Sequence, residues 1–165
     1  MQQFLSPYKK VIRLGFANYA KNMTAFNAAM SYNLQHAIQQ DDDGFHINYD
    51  QIAISRGLDA EITGALFQLQ EENIHINWEL KNPQKLMDED LTYFRTLVLL
   101  VPENPINASQ GVLLENYITD LKESIRLPAI THSDIYHLYL GFIAGDGTNR
   151  SMNSCYLGNI KLERK

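Results

Sequence analysis

The hydrophobic pattern of the N-terminal part of the chain predicts two amphipathic helices. Over residues 24–38 the apolar residues recur at helical spacing with one asparagine among them: Phe26, Ala29, Met30, Asn33, Leu34, Ala37 and Ile38. An earlier helix is predicted over residues 7–19, because Ser6 and Pro7 suit an N-cap and the first helical position. Thr24 can cap the second helix after a short connection, so the pair is expected to form an antiparallel hairpin.

The second helix is expected to be covered on both sides. Residues 23–40 contain no Asp, Glu, Lys or Arg, so its polar side offers only amides, hydroxyls, Tyr32 and His36. If the apolar stripe is buried, the Asn33 amide in it has to be hydrogen-bonded, because an unpaired buried amide is costly. Two helices of this size bury too little apolar surface to stand alone. They therefore require the rest of the chain, a partner, or both.

After Gly44 the hydrophobic period changes from 3.6 to 2, which predicts β-strands. Residues 74–80 alternate without interruption and predict a strand with one solvated face, whereas residues 93–101 are almost continuously apolar and predict a central strand. The remaining predicted strands cover residues 45–49, 51–55, 62–69, 112–117, 124–127, 135–143 and 154–162. A long polar loop is expected over residues 82–90 and a tight turn over residues 145–147.

The number and spacing of these strands predict an antiparallel β-sandwich of the immunoglobulin or fibronectin type III kind. Trp78 lies on an early strand, where such sandwiches bury an aromatic residue, and Leu127 precedes Tyr136 as a corner tyrosine requires. The predicted fold class is α+β. A helical hairpin over residues 1–44, packed on the sandwich or on a partner, precedes a β-sandwich domain over residues 45–165.

Composition and charge narrow the class of protein. With 165 residues, 45% of them hydrophobic and 20% charged, the chain can bury one substantial core and is not expected to be disordered. The net charge of −5 disfavours nucleic-acid binding, which needs a basic surface. The bases Lys9, Lys10, Arg13 and Lys21 nevertheless stand in the first 23 residues, which contain no acid. They are expected either to touch an acidic partner or, as the simpler interpretation, to complement the acidic remainder of the same chain.

The sequence shows no signal peptide and no run of membrane-span length. No basic region is followed by an uninterrupted apolar stretch near Met1. A cytoplasmic location is therefore expected, unless the protein is exported by another route or incorporated in a larger particle. A single cysteine excludes an internal disulfide framework.

Several blocks of the sequence, in order, resemble a family of uncharacterised Bacteroidetes proteins, domain of unknown function 6266. The blocks are FLSPYKKVIRLGFANYAKNMTAFNAAMSYNLQHAI, INYDQIAISRG, INWEL, HLYLGFIAGDG and NSCYLGNI. The resemblance implies no activity. Members of that family usually begin with a further glycine-rich segment, which this chain lacks. The resemblance thus implies a short family member or a truncated gene product, whose helices need another partner.

The histidines do not form a recognisable metal site. None of His36, His46, His75, His132 and His137 lies in a spacing such as HExxH or beside a CxxC pair, and the strand histidines are interpreted as facing solvent. The sequence Asp41-Asp42-Asp43-Gly44 resembles part of a calcium loop, but Ile52 stands where the loop needs a bidentate glutamate. This acidic stretch is therefore interpreted as a helix-terminating turn. No metal and no cofactor are predicted.

No catalytic or nucleotide-binding motif is present either. The sequence has no GxSxG, Walker or GxGxxG motif. Cys155 lies in a predicted strand with no motif that would pair it with a histidine, so it is interpreted as a buried structural thiol. An enzyme would need a cleft that joins His36 or His137 to carboxylates of distant strands.

The absence of these motifs, beside helices with little polar covering, favours a non-enzymatic structural or protein–protein interaction module in an oligomer or a larger assembly. The candidate interaction residues are Tyr8, Phe16, Tyr19, Phe26, Met30, Tyr32 and Asn33. The alternative is a ligand-binding module, for instance for a glycan. It would use residues 83–90, 102–109 and 146–153, loops expected at one end of the sandwich.

Overall fold

The computed structural model describes residues 1–164, with the side chain of residue 114 outside the description. The described residues form four α-helices, which are α1 (Gln2–Leu5), α2 (Lys9–Gly15), α3 (Ala25–His36) and α4 (Pro83–Asp88). Short 3-10 turns cover Ser6–Tyr8, Tyr49–Gln51 and Ile118–Asp120. The strands are β1 (Ile38–Asp41), β2 (Gly44–Ile47), β3 (Ile62–Gln70), β4 (Asn73–Leu80), β5 (Phe94–Pro102), β6 (Gln110–Tyr117), β7 (Lys122–Arg126), β8 (Asp134–Ala144) and β9 (Cys155–Leu162).

The strands form three antiparallel sheets. Strands β1 and β2 pair only with each other, β3-β4-β7 form a three-stranded sheet, and β6-β5-β8-β9 form a four-stranded sheet. The chain is therefore an α+β protein with short N-terminal helices and antiparallel sheets, as the sequence predicted. The boundary predicted at residue 44 falls at the start of β2, inside the β1–β2 hairpin.

The four-stranded sheet is covered on both faces, which explains the apolar runs of its central strands. Val98 and Leu100 of β5 belong to a hydrophobic cluster shared with the three-stranded sheet, here called the inner core. Their neighbours Leu97 and Leu99 belong to a second cluster shared with the N-terminal helices, here called the helical core. Successive side chains of a strand point to opposite faces, so a strand covered on both sides has no polar face. The continuous apolar run predicted a central strand correctly.

The inner core contains the predicted buried face of β4. Ile74, Ile76 and Trp78 are buried, and Trp78 Nε1 donates a hydrogen bond to the Ile118 carbonyl at 2.7 Å. Tyr136 is fully buried as well, but its hydroxyl has no hydrogen-bond partner among the described residues. The hydrogen bond of a corner tyrosine is therefore absent, in contrast to the prediction from Leu127 and Tyr136.

The first helical region begins earlier than predicted. Helix α1 starts at Gln2, and the Ser6 hydroxyl donates to the Gln2 carbonyl at 2.7 Å instead of capping a new helix. Pro7 lies in the 3-10 turn that connects α1 to α2. Because proline has no N–H to donate, the chain tightens locally at this point and then resumes an α-helix at Lys9.

Helix α3 agrees with the prediction at its start and is shorter at its end. The Thr24 hydroxyl accepts a hydrogen bond from the Asn27 N–H at 3.2 Å, as expected for an N-cap. The helix ends at His36, and Ile38 already begins β1. Asp41 and Asp43 consequently lie at the tip of a β-hairpin and not beside a helix C-terminus. The unfavourable helix-dipole interaction that the predicted helix-terminating turn would create is thereby avoided.

The two main N-terminal helices do not show the contact order of an antiparallel hairpin. The Lys9 ammonium lies 5.3 Å from the centre of the Phe26 ring, and the Phe16 ring lies 6.1 Å from the Tyr32 ring. The contacts thus advance along both helices in the same direction. Residues 16–24, which contain turns, form the longer return that this arrangement needs.

The strand predicted over residues 51–55 is absent. A 3-10 turn covers Tyr49–Gln51, and residues 52–55 are buried without joining a sheet. Their backbone bonds to side chains: the Ala53 N–H donates to Asn33 Oδ1 at 2.8 Å, and the Ile54 N–H donates to Ser154 Oγ at 3.0 Å. Residues 52–58, here called the linking segment, therefore obtain some of their backbone partners from distant side chains and others from the backbone of Gly15 and of residues 151–154.

Seven predicted strands agree with the structure to within a few residues at each end: β3 to β9. The predicted strand over residues 45–49 is present as β2, shifted by one or two residues and paired with the unpredicted β1. The loop expected over residues 82–90 contains α4 instead. Asn82 caps it by accepting from the Lys85 N–H at 3.1 Å, and Pro83 occupies its first turn.

Candidate functional site

Most of the predicted interaction residues lie inside the protein. Tyr8, Phe16, Phe26 and Asn33 are buried, the first three as members of the helical core. Their side chains cover the four-stranded sheet and so act in folding. Met30 is half-buried at the margin of the helical core, whereas Tyr19 and Tyr32 reach the surface.

The amide of Asn33 is buried and hydrogen-bonded, as its place in the apolar stripe requires. It is fully buried, and its Nδ2 donates to the Ala29 and Ala53 carbonyls at 3.0 Å each. Its Oδ1 accepts from the Ala53 N–H at 2.8 Å. The burial of Asn33 thus agrees with the predicted stripe, whereas Leu34 of that stripe is 51% exposed and the helix ends at His36.

The surface-exposed tyrosines belong to a compact group, here called the aromatic face, formed by Tyr19, Tyr32, His36 and Arg56. The Tyr19 and Tyr32 rings are 5.8 Å apart and nearly perpendicular, at 88°. The His36 ring stacks on Tyr32 at 4.1 Å and 15°. Helix α3 produces this stacking because residues four apart lie on one side of a helix. Phe16 supports the group from the helical core, with its ring 5.5 Å from Tyr19.

Arg56 adds a cation to the aromatic face. Its guanidinium carbon lies 4.7 Å from the centre of the Tyr32 ring, within the range of a cation–π interaction. Its Nε is buried without a hydrogen-bond partner, and none of the ion pairs among the described residues includes Arg56. The backbone of Arg56 is fixed, since its N–H donates to the Gly15 carbonyl at 3.0 Å.

The aromatic face has the composition of a protein-binding surface. Tyrosine and arginine are the residue types that most often dominate binding energy, and rings held by neighbouring rings lose little entropy when a partner binds. Tyr19 is 45% exposed. A partner could therefore bury a substantial part of a ring that the fold has already positioned.

A second cluster surrounds His137, the histidine of the predicted strand over residues 135–143. His137 is buried on β8, with Nε2 2.9 Å from Glu103 Oε1 and Nδ1 2.8 Å from the Tyr156 hydroxyl. Its ring stacks on Tyr49 at 3.8 Å and 4°. Tyr139 completes the group by donating its hydroxyl proton to the Tyr49 carbonyl at 2.7 Å.

The His137 cluster is satisfied internally. One neutral tautomer, with the proton on Nε2, donates to Glu103 and accepts from Tyr156, so it satisfies both ring nitrogens. Burial, followed by the charge of Glu103, raises the pKa of Tyr49, and burial also raises the pKa of Tyr156. Both phenols therefore stay protonated at neutral pH, and the Tyr156 hydroxyl can donate to His137 Nδ1. The arrangement ties the turn at Tyr49 to β8 and β9.

The other candidate chemistries lack a constructed site in the described part of the chain. No three or more His, Cys, Asp and Glu side chains between residues 1 and 164 are placed to share a metal ion. Cys155 is half-buried on β9, and burial raises the pKa of its thiol, which disfavours the reactive thiolate. None of the helices within residues 1–164 is long and apolar enough to cross a membrane.

The three loops proposed for ligand binding do not meet at one end of the sheets. Phe94, at the start of β5, pairs with Ala144, whereas Pro102 pairs with Tyr136 at the opposite end of β8. Residues 83–90 and 146–153 therefore lie at one end and residues 102–109 at the other. Tyr93, which follows residues 83–90, connects that end of the sheet to residues 146–153, because its hydroxyl donates to Asp146 Oδ2 at 2.8 Å.

A groove of about 900 Å³ lies at the end where β9 finishes. The β3–β4 turn, the residues after β7 and residues 161–164 line it. Leu127, Pro128 and Ile130 supply apolar surface, and Arg126 pairs with Glu72 at 2.9 Å at its side. None of the three predicted ligand loops contributes to the lining.

The sequence analysis missed the residues that organise the aromatic face and the His137 cluster. Arg56 gave no signal in the sequence, because its contact with Tyr32 depends on the path of the linking segment. His137 gave a signal, because it stands in the otherwise apolar sequence Tyr136-His137-Leu138-Tyr139-Leu140 of a strand with no solvated face. A polar residue in such a strand has to find partners inside the protein.

Comparison with known proteins gives a family without a function. No curated protein matches the sequence. The sequence model of a family described as a family of unknown function, DUF6266, matches residues 1–158. The match covers the helices and the strands through the first half of β9. The chain is a member of the DUF6266 family.

Proposed function

We propose that the protein is a non-enzymatic structural or protein–protein interaction module that acts in an oligomer or a larger assembly. The observation that carries this proposal is the aromatic face, in which the fold holds the exposed Tyr19 against Tyr32, and Tyr32 against Arg56, a cation without a carboxylate partner among the described residues. The sequence predicted that these helices need additional cover. In the sharpest form of the proposal, the helices pack between subunits of a homo-oligomer.

The strand order supports an immunoglobulin or fibronectin type III-like sandwich as the scaffold of this module. Counted from β3, the first, second and fifth strands form one sheet, and the third, sixth and seventh form the other in that order. This order resembles that of an immunoglobulin sandwich, with the fourth strand, β6, paired with the third. Such sandwiches serve many functions, so the scaffold alone does not select one.

The closed hydrogen-bond network of His137 supports a non-enzymatic role. Both ring nitrogens are engaged by Glu103 and Tyr156, and the ring face is covered by Tyr49. A general base needs a free nitrogen within hydrogen-bond reach of a substrate. The cluster therefore fits a structural role, in which it joins the turn at Tyr49 to β8 and β9, better than a catalytic role.

Self-association of the wild type and of Tyr19→Ser tests the proposal. We expect the wild type to form a defined oligomer at high micromolar concentration in light scattering, and Tyr19→Ser to weaken it, because the substitution removes the more exposed tyrosine ring of the aromatic face. Tyr117→Ser is the control, since Tyr117 is 40% exposed, similar to Tyr19, and lies on β6 outside the aromatic face.

The outcome that contradicts the oligomer is a folded wild-type monomer at every concentration. The fluorescence of Trp78, the only tryptophan and a buried one, reports whether each variant is folded. If Tyr117→Ser weakens association as much as Tyr19→Ser, the aromatic face is not the contact surface.

Ligand binding in the groove at the end of β9 is the second candidate function. Its volume of about 900 Å³ is in the range of small-molecule sites, and it combines apolar and charged walls. A thermal-shift screen with glycans and charged small molecules tests it. We expect a compound that raises the Tm of the wild type not to raise the Tm of Leu127→Ser. A screen in which no compound raises the Tm of the wild type counts against this function.

A further inference from the structure

The exposed side of α2 is a basic surface that the chain leaves uncompensated. Lys9, Lys10 and Arg13 are exposed, while Val11 and Ile12 between them are buried. Leu14, 38% exposed, lies beside them. Together these four exposed residues are here called the basic face.

The simpler interpretation of these bases was that they pair with acids of the same chain. Within residues 1–164, none of the ion pairs involves a base of the first 23 residues. Lys9 instead lies over the ring of Phe26. The positive charge of the basic face is therefore available to another molecule.

The β1–β2 hairpin is here called the arm. Its two strands form their own sheet, and neither pairs with a strand of the larger sheets. The hydrogen bond from the Asn48 N–H to the Ala37 carbonyl at 2.8 Å continues its ladder, and the arm is attached at this base, where Ala37 is buried in the helical core and Ile47 packs against it. A two-stranded hairpin is marginally stable in water by itself, so a partner that covers it would stabilise it.

The tip of the arm combines negative charge with an exposed apolar ring. Asp41, Asp42 and Asp43 are exposed, and the neighbouring Phe45 is 75% exposed. Asp41 lies 3.2 Å from His46 of the same arm, whereas Asp42 and Asp43 are in none of the ion pairs of the described chain.

The arm tip and the basic face are complementary in two respects. Each places an apolar side chain, Phe45 or Leu14, beside charges of one sign, and the signs are opposite. Complementary charges steer and orient association, and the apolar pair adds burial that is less sensitive to salt. The two surfaces do not form an ion pair within one chain, so the complement of each is available on a second copy.

We propose that the arm of one copy docks on the basic face of a second copy. The inference rests on the proposed assembly function and names its partner. Because the two surfaces differ, the contact closes either as a two-fold dimer with two reciprocal contacts or as a head-to-tail ring. The arm strands of four residues are about 13 Å long, which is enough to lie across a helix.

Two charge-reversal variants test the contact from its two sides. The arm variant is Asp42→Lys with Asp43→Lys, and the face variant is Lys10→Glu with Arg13→Glu. The arm variant spares Asp41, whose Oδ1 accepts from the Asp43 N–H at 2.9 Å. Sedimentation velocity at low salt compares them with the wild type and with Lys122→Glu, an exposed reversal on β7.

We expect each variant alone to weaken self-association about tenfold or more, because a reversed charge removes an attraction and adds a repulsion. Lys122→Glu should associate like the wild type. An equal mixture of the arm and face variants should associate again with the two chains alternating, because the unchanged arm of one chain meets the unchanged basic face of the other, and the reversed arm meets the reversed face. A chain that carries all four reversals should associate again. High salt should weaken the wild-type assembly.

The results separate this inference from the proposed function. If the arm and face variants associate like the wild type while Tyr19→Ser does not, arm docking is overturned and assembly through the aromatic face stands. If the mixture of the two variants stays monomeric, the second copy is not the partner of the arm. A wild type that is monomeric at low salt and high micromolar concentration overturns both the docking and the homo-oligomer.

Discussion

The side chain of Asn33 pairs with the backbone of Ala53 in the way that a neighbouring strand would. The amide donates to the Ala53 carbonyl and accepts from the Ala53 N–H, so a side chain of α3 completes one residue of the linking segment. A third hydrogen bond, to the Ala29 carbonyl, holds the amide in the helix. This one residue joins the N-terminal helices to a buried stretch of chain that has no sheet partner.

Replacement of Asn33 by alanine should lower the free energy of unfolding by about 1–3 kcal/mol, because buried polar groups of Ala53 lose their partner. Urea unfolding followed by Trp78 fluorescence measures the change. Asn27→Ala is the control on the same helix, since Asn27 is exposed and the structure gives its side chain no hydrogen bond. Equal effects of the two substitutions would contradict the role of the amide.

Gly15→Ala should destabilise the protein although alanine is the better helix former. A Cβ at residue 15 would stand 2.0 Å from the Ile54 carbonyl oxygen and 2.8 Å from Ser55 Cα. The clash of a side chain with backbone costs about 1–3 kcal/mol or more, which outweighs the roughly 1 kcal/mol gained from helix propensity. The midpoint of urea unfolding measures the result.

Gly145→Ala provides the comparison for that substitution. A Cβ at residue 145 would meet its nearest atoms at 3.7 Å, an ordinary van der Waals distance. We expect its unfolding midpoint to stay close to that of the wild type. A Gly15→Ala protein that is equally stable would show that the helix and the linking segment can separate.

Asp146 should stabilise the protein less as the solution becomes acidic. Hydrogen bonds from the Thr148 side chain and backbone, with one from Tyr93, lower the pKa of Asp146 from 3.8 to about 2. A carboxyl with a lowered folded-state pKa stabilises the fold fully above its unfolded pKa and loses this effect as pH falls through the folded value. The difference in Tm between the wild type and Asp146→Asn should therefore shrink between pH 3.8 and about 2.

Thr148→Val should reduce that acid dependence, because it removes the largest cause of the lowered pKa of Asp146. Thermal unfolding of the wild type and both variants across the acid range measures it. A pH-independent difference between the wild type and Asp146→Asn would contradict the hydrogen-bonding explanation.

Alkaline solution should destabilise the wild type more than Tyr8→Phe. Burial, helped by Tyr49 and Tyr136, raises the pKa of Tyr8 from 10.0 to about 12. Because the unfolded phenol ionises first, the stability due to this shift is complete below pH 10.0 and is lost as pH rises towards about 12. Unfolding midpoints measured across this range should fall less steeply for Tyr8→Phe, and parallel curves would contradict the prediction.

Two similar dipeptides show how far local sequence signals reach. Ser6-Pro7 predicted a helix start and lies inside a helical region, whereas Asn82-Pro83 was assigned to a loop and starts α4. Both fit the preferences for an N-cap and a first helical position. The preceding residues decide between them: Gln2–Leu5 already form a helix, while Asn82 follows a strand that has ended.

The strands of the two larger sheets were predictable because the hydrophobic pattern of each strand shows how many of its faces are buried. Alternation marked β4, which has one buried face, and the continuous apolar run marked β5, which has two. The linking segment was not predictable in this way. Its partners Ser154 and Met152 lie about a hundred positions further along the chain, as in the hydrogen bonds from Ile54 N–H to Ser154 Oγ and from Ser55 Oγ to the Met152 carbonyl.

The residues of the candidate site were likewise predictable only where the local hydrophobic pattern identified them. The helical spacing identified Tyr19 and Tyr32, which lie on the surface, together with Tyr8, Phe16 and Phe26, which the four-stranded sheet covers. Periodicity gives the face of a helix but not which part of that face another element covers. Arg56 reaches Tyr32 only because Gly15 and Gly57 allow the linking segment to approach so closely.

The path of the linking segment also determines when the N-terminal helices can fold during synthesis. The helical core includes Tyr139 and Ile143, and the linking segment is held by residues 151–154. A nascent chain that has only just presented its first sixty residues therefore lacks the surface on which its helices pack. We expect a fragment of residues 1–60 to show little helical circular dichroism. The N-terminal helices, made first, are then completed only by the last strands to leave the ribosome.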